Sequence, residues 1–134
     1  GAEVKSAGYD VLVVEGKAEK PSYIWIKDGE VEIRDASKYL GMLCIDTSEA
    51  LRKDLGDKSV KVVNVGPAGE KMVRFSSIFD DQRLAARGGM GMVMWSKNLK
   101  AIAARGSKKV DVEDRETLRE IAKQQVKTIK ESPL

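Results

Sequence analysis

Short β-branched runs, each stopped within a few residues by glycine or proline, recur along the chain up to a glycine cluster at residues 88–91, and they restrict it to strand-rich architectures. Val11-Leu12-Val13-Val14, within residues 10–15, is apolar throughout and predicts a strand covered on both faces, ended by Gly16. Tyr23-Ile24-Trp25-Ile26 predicts a second strand, Lys27-Asp28-Gly29-Glu30 a turn, and Val31-Glu32-Ile33 a third, so three strands follow in antiparallel order. Residues 60–65 predict another, ending in a turn at Gly66-Pro67-Ala68-Gly69, and residues 73–79 alternate well enough for one more. Met92-Val93-Met94-Trp95 suits either periodicity; we assign it to a helix and residues 100–104 to a closing strand.

Two longer helices complete an α+β pattern. Asp46-Thr47-Ser48 offers capping oxygens to a helix over residues 49–55, with Leu51 and Leu55 one turn apart and Gly56 as its stop. Beyond the polar linker Gly106-Ser107-Lys108-Lys109, a helix capped by Asp111, with Asp114 in its first turn, places Leu118, Ile121, Ala122, Val126 and Ile129 on one face. Lys123, Lys127 and Lys130 near its C-terminal end complement the helix dipole, and it ends before Ser132-Pro133. A stripe of this kind is a packing face, expected to dock on a further part of the protein.

The 134 residues suit one domain, and 42% hydrophobic with 34% charged residues is a globular composition. No run reaches the roughly 18 apolar residues that a membrane span needs, and no secretory leader pattern stands at the start, so a cytoplasmic protein is expected. Histidine is absent, which removes Ser-His and Cys-His catalysis and the commonest metal ligand. The single cysteine, Cys44, is too few for an iron–sulfur cluster, and its apolar setting predicts a buried, inert thiol. The 24 basic residues are interspersed with 21 acidic ones and aromatics reach only 5%, which argues against a nucleic-acid module despite a pI near 9.0.

Chemistry concentrates in residues 83–100, where Gly88, Gly89 and Gly91 crowd a loop behind Arg83 and Arg87. Glycines let backbone groups approach a bulky polar ligand, and an arginine can donate two parallel hydrogen bonds to a phosphate. The pattern satisfies neither a phosphate-binding P-loop nor a dinucleotide fingerprint, since Met94 stands where the latter needs its last glycine. From these residues alone, a tight turn packed on a neighbouring strand and an anion site are equal readings.

Three blocks in order decide between them: Gly8-Tyr9-Asp10 to Glu15-Gly16-Lys17, Val65-Gly66-Pro67-Ala68-Gly69-Glu70, and Arg87-Gly88-Gly89-Met90-Gly91 to Ser96-Lys97-Asn98-Leu99-Lys100-Ala101-Ile102. Together they resemble the N-terminal domain of the aldehyde ferredoxin oxidoreductase family over residues 1–106, most closely at 83–106 and only loosely at 107–134. The resemblance implies a β-rich, saddle-like α+β domain with short helices, followed at 107–134 by a linker and an amphipathic helix leading to a missing downstream domain. It implies a tungsten (or molybdenum) bis-pterin with magnesium bridging the pterin phosphates. Arg87 would bond a pterin or its phosphate, the backbone of Gly88 and Gly89 would approach the phosphate–magnesium region, and Gly91 would keep the turn open.

Lys97, Asn98 and Arg83 fit the same pattern, as ligand contacts or as structural hydrogen-bond partners; Gly66 to Gly69 form a turn with a cofactor contact as the lesser reading. No catalytic acid, base, nucleophile or metal ligand is expected in this chain. Aldehyde substrate, ferredoxin as electron acceptor, an iron–sulfur cluster and the remaining domains or subunits all belong to the full enzyme, and the chain alone is expected to be inactive. It begins at a point resembling the inside of the family domain. Trp95 replaces a small residue of the family, and Leu40-Gly41-Met42 stands where Leu-Trp-Gly is common, which bears on the substrate rather than the fold. The competing reading is a non-catalytic subunit or split-gene scaffold that pairs with a partner chain.

Overall fold

The structure, a computed structural model, describes residues 1–81 and 83–133. In chain order the elements are α1 (Ala2–Ser6), β1 (Ser22–Lys27), β2 (Glu30–Asp35), a 3-10 turn (Ser37–Tyr39), α2 (Cys44–Asp54), β3 (Lys61–Asn64) and α3 (Pro67–Glu70). They continue with β4 (Ile78–Asp80), β5 (Arg83–Ala85), α4 (Met90–Ser96), β6 (Leu99–Arg105) and α5 (Arg115–Glu131). One mixed sheet holds all six strands in the order β2-β1-β6-β3-β4-β5. The β1–β6 pair is parallel and every other pair antiparallel. The expected α+β, strand-rich architecture with short helices and a C-terminal helix is therefore present.

β6 sits at the centre because its sequence, Leu99-Lys100-Ala101-Ile102-Ala103-Ala104-Arg105, can be covered on both faces, small residues letting layers approach closely. On one face Tyr23, Trp25, Ala101, Ala103 and Val62 meet Leu51 of α2 and the Tyr39 ring. Complete burial of side chains such as Leu51 and Val62 contributes about 1.5–3 kcal/mol each. Tyr39 also donates to Asp54 at 2.6 Å, and burial first, then that bond, raises its pKa. On the other face Ile26 and Ala104 meet Ala7, with Val4, Leu12 and Tyr9 against them.

The end of β6 is locked to α1. Gly106 is buried where a Cβ would lie 2.1 Å from the Ser6 carbonyl carbon, while Arg105 bridges Glu3 and Asp57 at 2.8 and 2.9 Å.

Several expectations are corrected. Residues 10–15 form no strand: they cross a sheet face rather than an edge, so their backbone meets no ladder partner, and alternate side chains diverge. Leu12 and Val14 pack inward, whereas Val11 and Val13 are 72% and 78% exposed, not covered on both faces. The three-strand antiparallel order reduces to the β1–β2 hairpin, because β6 occupies the other side of β1.

Helix α2 begins at Cys44, ahead of the expected cap, because burying Thr47, Ser48 and Leu51 against the sheet extends it backwards; its capping residue is Leu43. Of residues 73–79 only the end is strand, since Met72 adopts φ +57 and the following bonds are local turns, Val73 to Ala68 and Ser76 to Val73. The cap of α5 is Asp114, not Asp111: its carboxylate accepts from the backbone of Glu116 and Thr117.

Candidate functional site

β5 runs into the turn at residues 86–89, and α4 then leads to the central strand. Gly88 and Gly89 are consecutive left-handed residues, φ +78 and +68, a conformation costing other residues about 1–2 kcal/mol each. Their surroundings differ. A Cβ on Gly89 would lie 2.4 Å from the Arg74 carbonyl oxygen, and one on Gly91 2.6 Å from that of Ser77. The Gly91 amide donates to Ser76 at 3.0 Å, closing the turn onto residues 74–77. Gly88 instead opens outward, its Cβ position meeting nothing nearer than the Met90 sulfur at 4.0 Å.

Arg87, beside this opening, and Arg74, whose carbonyl lies against Gly89, are exposed and form no ion pair among the described residues, whereas Arg83 is exposed at the far end of β5. Residues 83–91 contain no acid; at the far end of β5 Asp81 is taken by Arg52 at 2.5 Å and Asp80 lies across the ladder from Arg83. The corner is thus cationic with free backbone on its outer side, a surface able to hold an anionic oxygen. Exposed apolar side chains lie in the same segments, Phe75 at 89% and Leu84 at 60%, with Met90 beside them.

Lys97 and Asn98 point elsewhere. Lys97 donates to the Gly16 carbonyl at 3.3 Å and Asn98 to that of Ala18 at 2.6 Å, so both tie residues 16–18 to the end of α4. Asn98 has φ +55, a position its short polar side chain tolerates. Gly66 to Gly69 lie at a single helical turn with Pro67 first, where Gly69 is close to Val65 and Gly91.

Sequence reasoning missed Lys100. Its side chain is fully buried in β6, and its ammonium donates to Val65 and Met42 carbonyls at 2.7 and 3.3 Å and to Glu70 at 2.5 Å. A lysine between Leu99 and Ala101 in a central strand was the available signal. Cys44 is half-buried beside Gly66, and burial raises its thiol pKa, with Lys100 opposing and Glu70 reinforcing. No three His, Cys, Asp or Glu side chains cluster as a metal site among the described residues. Nor is any helix among them long and apolar enough to cross a membrane.

The mixed sheet with a glycine turn between its edge strand and α4 defines an α+β domain with an exposed backbone corner. Residues 1–106 match the family described as aldehyde ferredoxin oxidoreductase, N-terminal domain, and the chain belongs to that family. A tungsten-containing aldehyde ferredoxin oxidoreductase from Pyrococcus furiosus is 50% identical over 135 residues, covering all of this chain and 22% of the relative. The aliphatic sulfonate oxidoreductase, WOR-like subunit, of the same organism is 41% identical over 80% of the chain and 19% of its own length. The solved active site complex BamBC of benzoyl coenzyme A reductase superposes with a TM-score of 0.92 at 38% identity, over 96% of this chain and 20% of that one. The chain therefore spans about a fifth of the relatives it matches, 22% of the first.

Proposed function

We propose that this chain is the cofactor-binding part of a tungstopterin oxidoreductase that oxidises aldehydes to carboxylic acids with ferredoxin as electron acceptor, and that it does not turn over alone. The observation that carries the reading is the corner at Arg87 and Gly88: an exposed arginine with no ion pair among the described residues, beside a left-handed glycine with open space beyond it. It fits the phosphate end of a pterin. Arg87 donates its paired hydrogen bonds to a phosphate or pterin carbonyl, and the backbone of Gly88 and Gly89 approaches the phosphate–magnesium region. Gly91, expected to keep the turn open, instead closes it onto Ser76 and Ser77 and so holds Gly88 in place.

When bound, a tungsten (or molybdenum) bis-pterin would supply the redox chemistry, and this chain would contribute no ligand to its metal. Residues 107–134 form the connection to a downstream domain, where the iron–sulfur cluster and the acid/base groups reside, in a cytoplasmic enzyme. The relatives' names carry aldehyde, aliphatic sulfonate and benzoyl coenzyme A, so the aldehyde rests on the greater identity to the tungsten-containing enzyme.

The test is tungsten, molybdenum and pterin analysis of the native protein purified without air, alongside Arg87→Ala. Metal with a pair of pterins per polypeptide, lost in the variant while the fold is retained, supports the reading. A folded native protein with neither overturns it and leaves the scaffold that pairs with a partner chain.

A further inference from the structure

We propose that Lys100 is a positioning residue, which through Glu70 fixes α3 and thereby the glycine corner; this deepens the cofactor reading, on which its functional meaning rests. The ammonium has no solvent exposure and three acceptors, while Glu70 spends its other oxygen on the Gly41 amide at 2.9 Å. The pair thus joins four places in the chain: β6, the segment after β3, the loop before α2 and the end of α3.

From α3 the connection to the corner is direct. Gly69, next to Glu70, stands so close to Gly91 that a Cβ would lie 3.4 Å from its carbonyl oxygen. Residues 71–77 leave α3 without any sheet partner and are held by local turn bonds and by Gly91, which donates to Ser76. Gly89 lies on Arg74 of the same segment. Moving α3 therefore shifts the surface against which Gly89 and Gly91 rest, and with it Arg87 and Gly88.

A buried ion pair is a poor stabiliser, since an apolar pair of similar volume is often as stable or more so. What an apolar pair does not reproduce is the direction of the bonds to Met42, Val65 and Glu70. Geometry, rather than stability, is what this pair supplies.

Hydrogen exchange on the native protein, Lys100→Met/Glu70→Leu and Glu70→Gln tests this, with urea midpoints and tungsten and pterin content from the same preparations. The double variant is expected to keep or raise the midpoint, while peptides covering residues 71–77 and 88–91 exchange at least roughly tenfold faster. Glu70→Gln, which keeps one acceptor for Lys100, gives a smaller rise in the same peptides and decides the matter should the double variant not fold. No local rise, or a rise spread equally over β1 and β6, overturns the proposal. Absence of metal and pterin from the native protein refutes the cofactor reading alone, because the exchange result stands without them; if they are present, their occupancy falls in the double variant.

Discussion

Three glycines, two in the turn and one in the first turn of α4, serve separate physical purposes, and substitution separates them. Gly88→Ala meets only the left-handed backbone cost, about 1 kcal/mol, because space beyond it is open. Gly89→Ala adds a clash with the Arg74 carbonyl and is expected to cost about 2–4 kcal/mol. Gly91→Ala, in helical conformation but pressed on Ser77, falls between, at about 1–3 kcal/mol. Urea denaturation of the three variants checks the order, and equal losses at Gly88 and Gly89 would sink this account. Arg87→Ala, by contrast, removes an exposed side chain and should alter stability by no more than about 0.5 kcal/mol. Any large effect of that change on cofactor content is then a binding effect. Glycine composition was legible in the sequence; which glycine touches protein and which opens outward was not, because the touching partner, residues 74–77, lies in a segment expected to be a strand.

Among the elements, α1 and α5 are held by carboxylates whose behaviour in acid follows from their partners. Burial pushes the pKa of Glu3 up, but the Gly106 amide and Arg105 outweigh it and the net shift is downward. A lowered carboxylate pKa stabilises the fold above the unfolded value, about 4.3, and that contribution is lost as pH falls through the lower folded value. Glu3→Gln should therefore lower Tm at neutral pH and converge with the parent protein in acid, read from Tm between about pH 5 and pH 2. Asp114 is lowered chiefly by the Thr117 hydroxyl and then its amide, so the α5 cap is intact at neutral pH and weakens below about 3.9. Asp114→Ala should reduce the helical circular dichroism at neutral pH and leave no further acid-dependent loss from α5. The existence of α5 and its end at Ser132 were readable from spacing, whereas the cap moved three residues, because Asp114 rather than Asp111 precedes the Glu116 and Thr117 amides it binds.

At the scale of the molecule, stability resides in the sheet and in the helices that cover it. Every residue of α5 is exposed, including Leu118, Ile121, Val126 and Ile129 of its apolar stripe. Removing residues 110–134 should leave the urea midpoint of the remaining chain unchanged, since no buried side chain is lost among the described residues. A fall of the midpoint would mean that α5 packs on the sheet in solution. The stripe itself agrees with the proposal that residues 107–134 lead into a further domain, as an amphipathic helix gains its stability by covering that face.

Local sequence determined the β1–β2 hairpin, the strand identity of β3 and β6, and the existence and end of α5, because alternation, turn residues and helical spacing act within a few neighbours; α4, whose run suits either periodicity, was assigned rather than determined. The blocks around Val65 and Arg87 also carried the family. Tertiary structure alone decided that β6 inserts beside β1 in parallel and that residues 10–15 lie on a face without pairing. It alone made Lys100 an interior charge tied to Glu70. Each of these depends on groups brought together across long separations in the chain, and a hydrogen bond or an excluded Cβ between such groups leaves no periodic trace in the sequence.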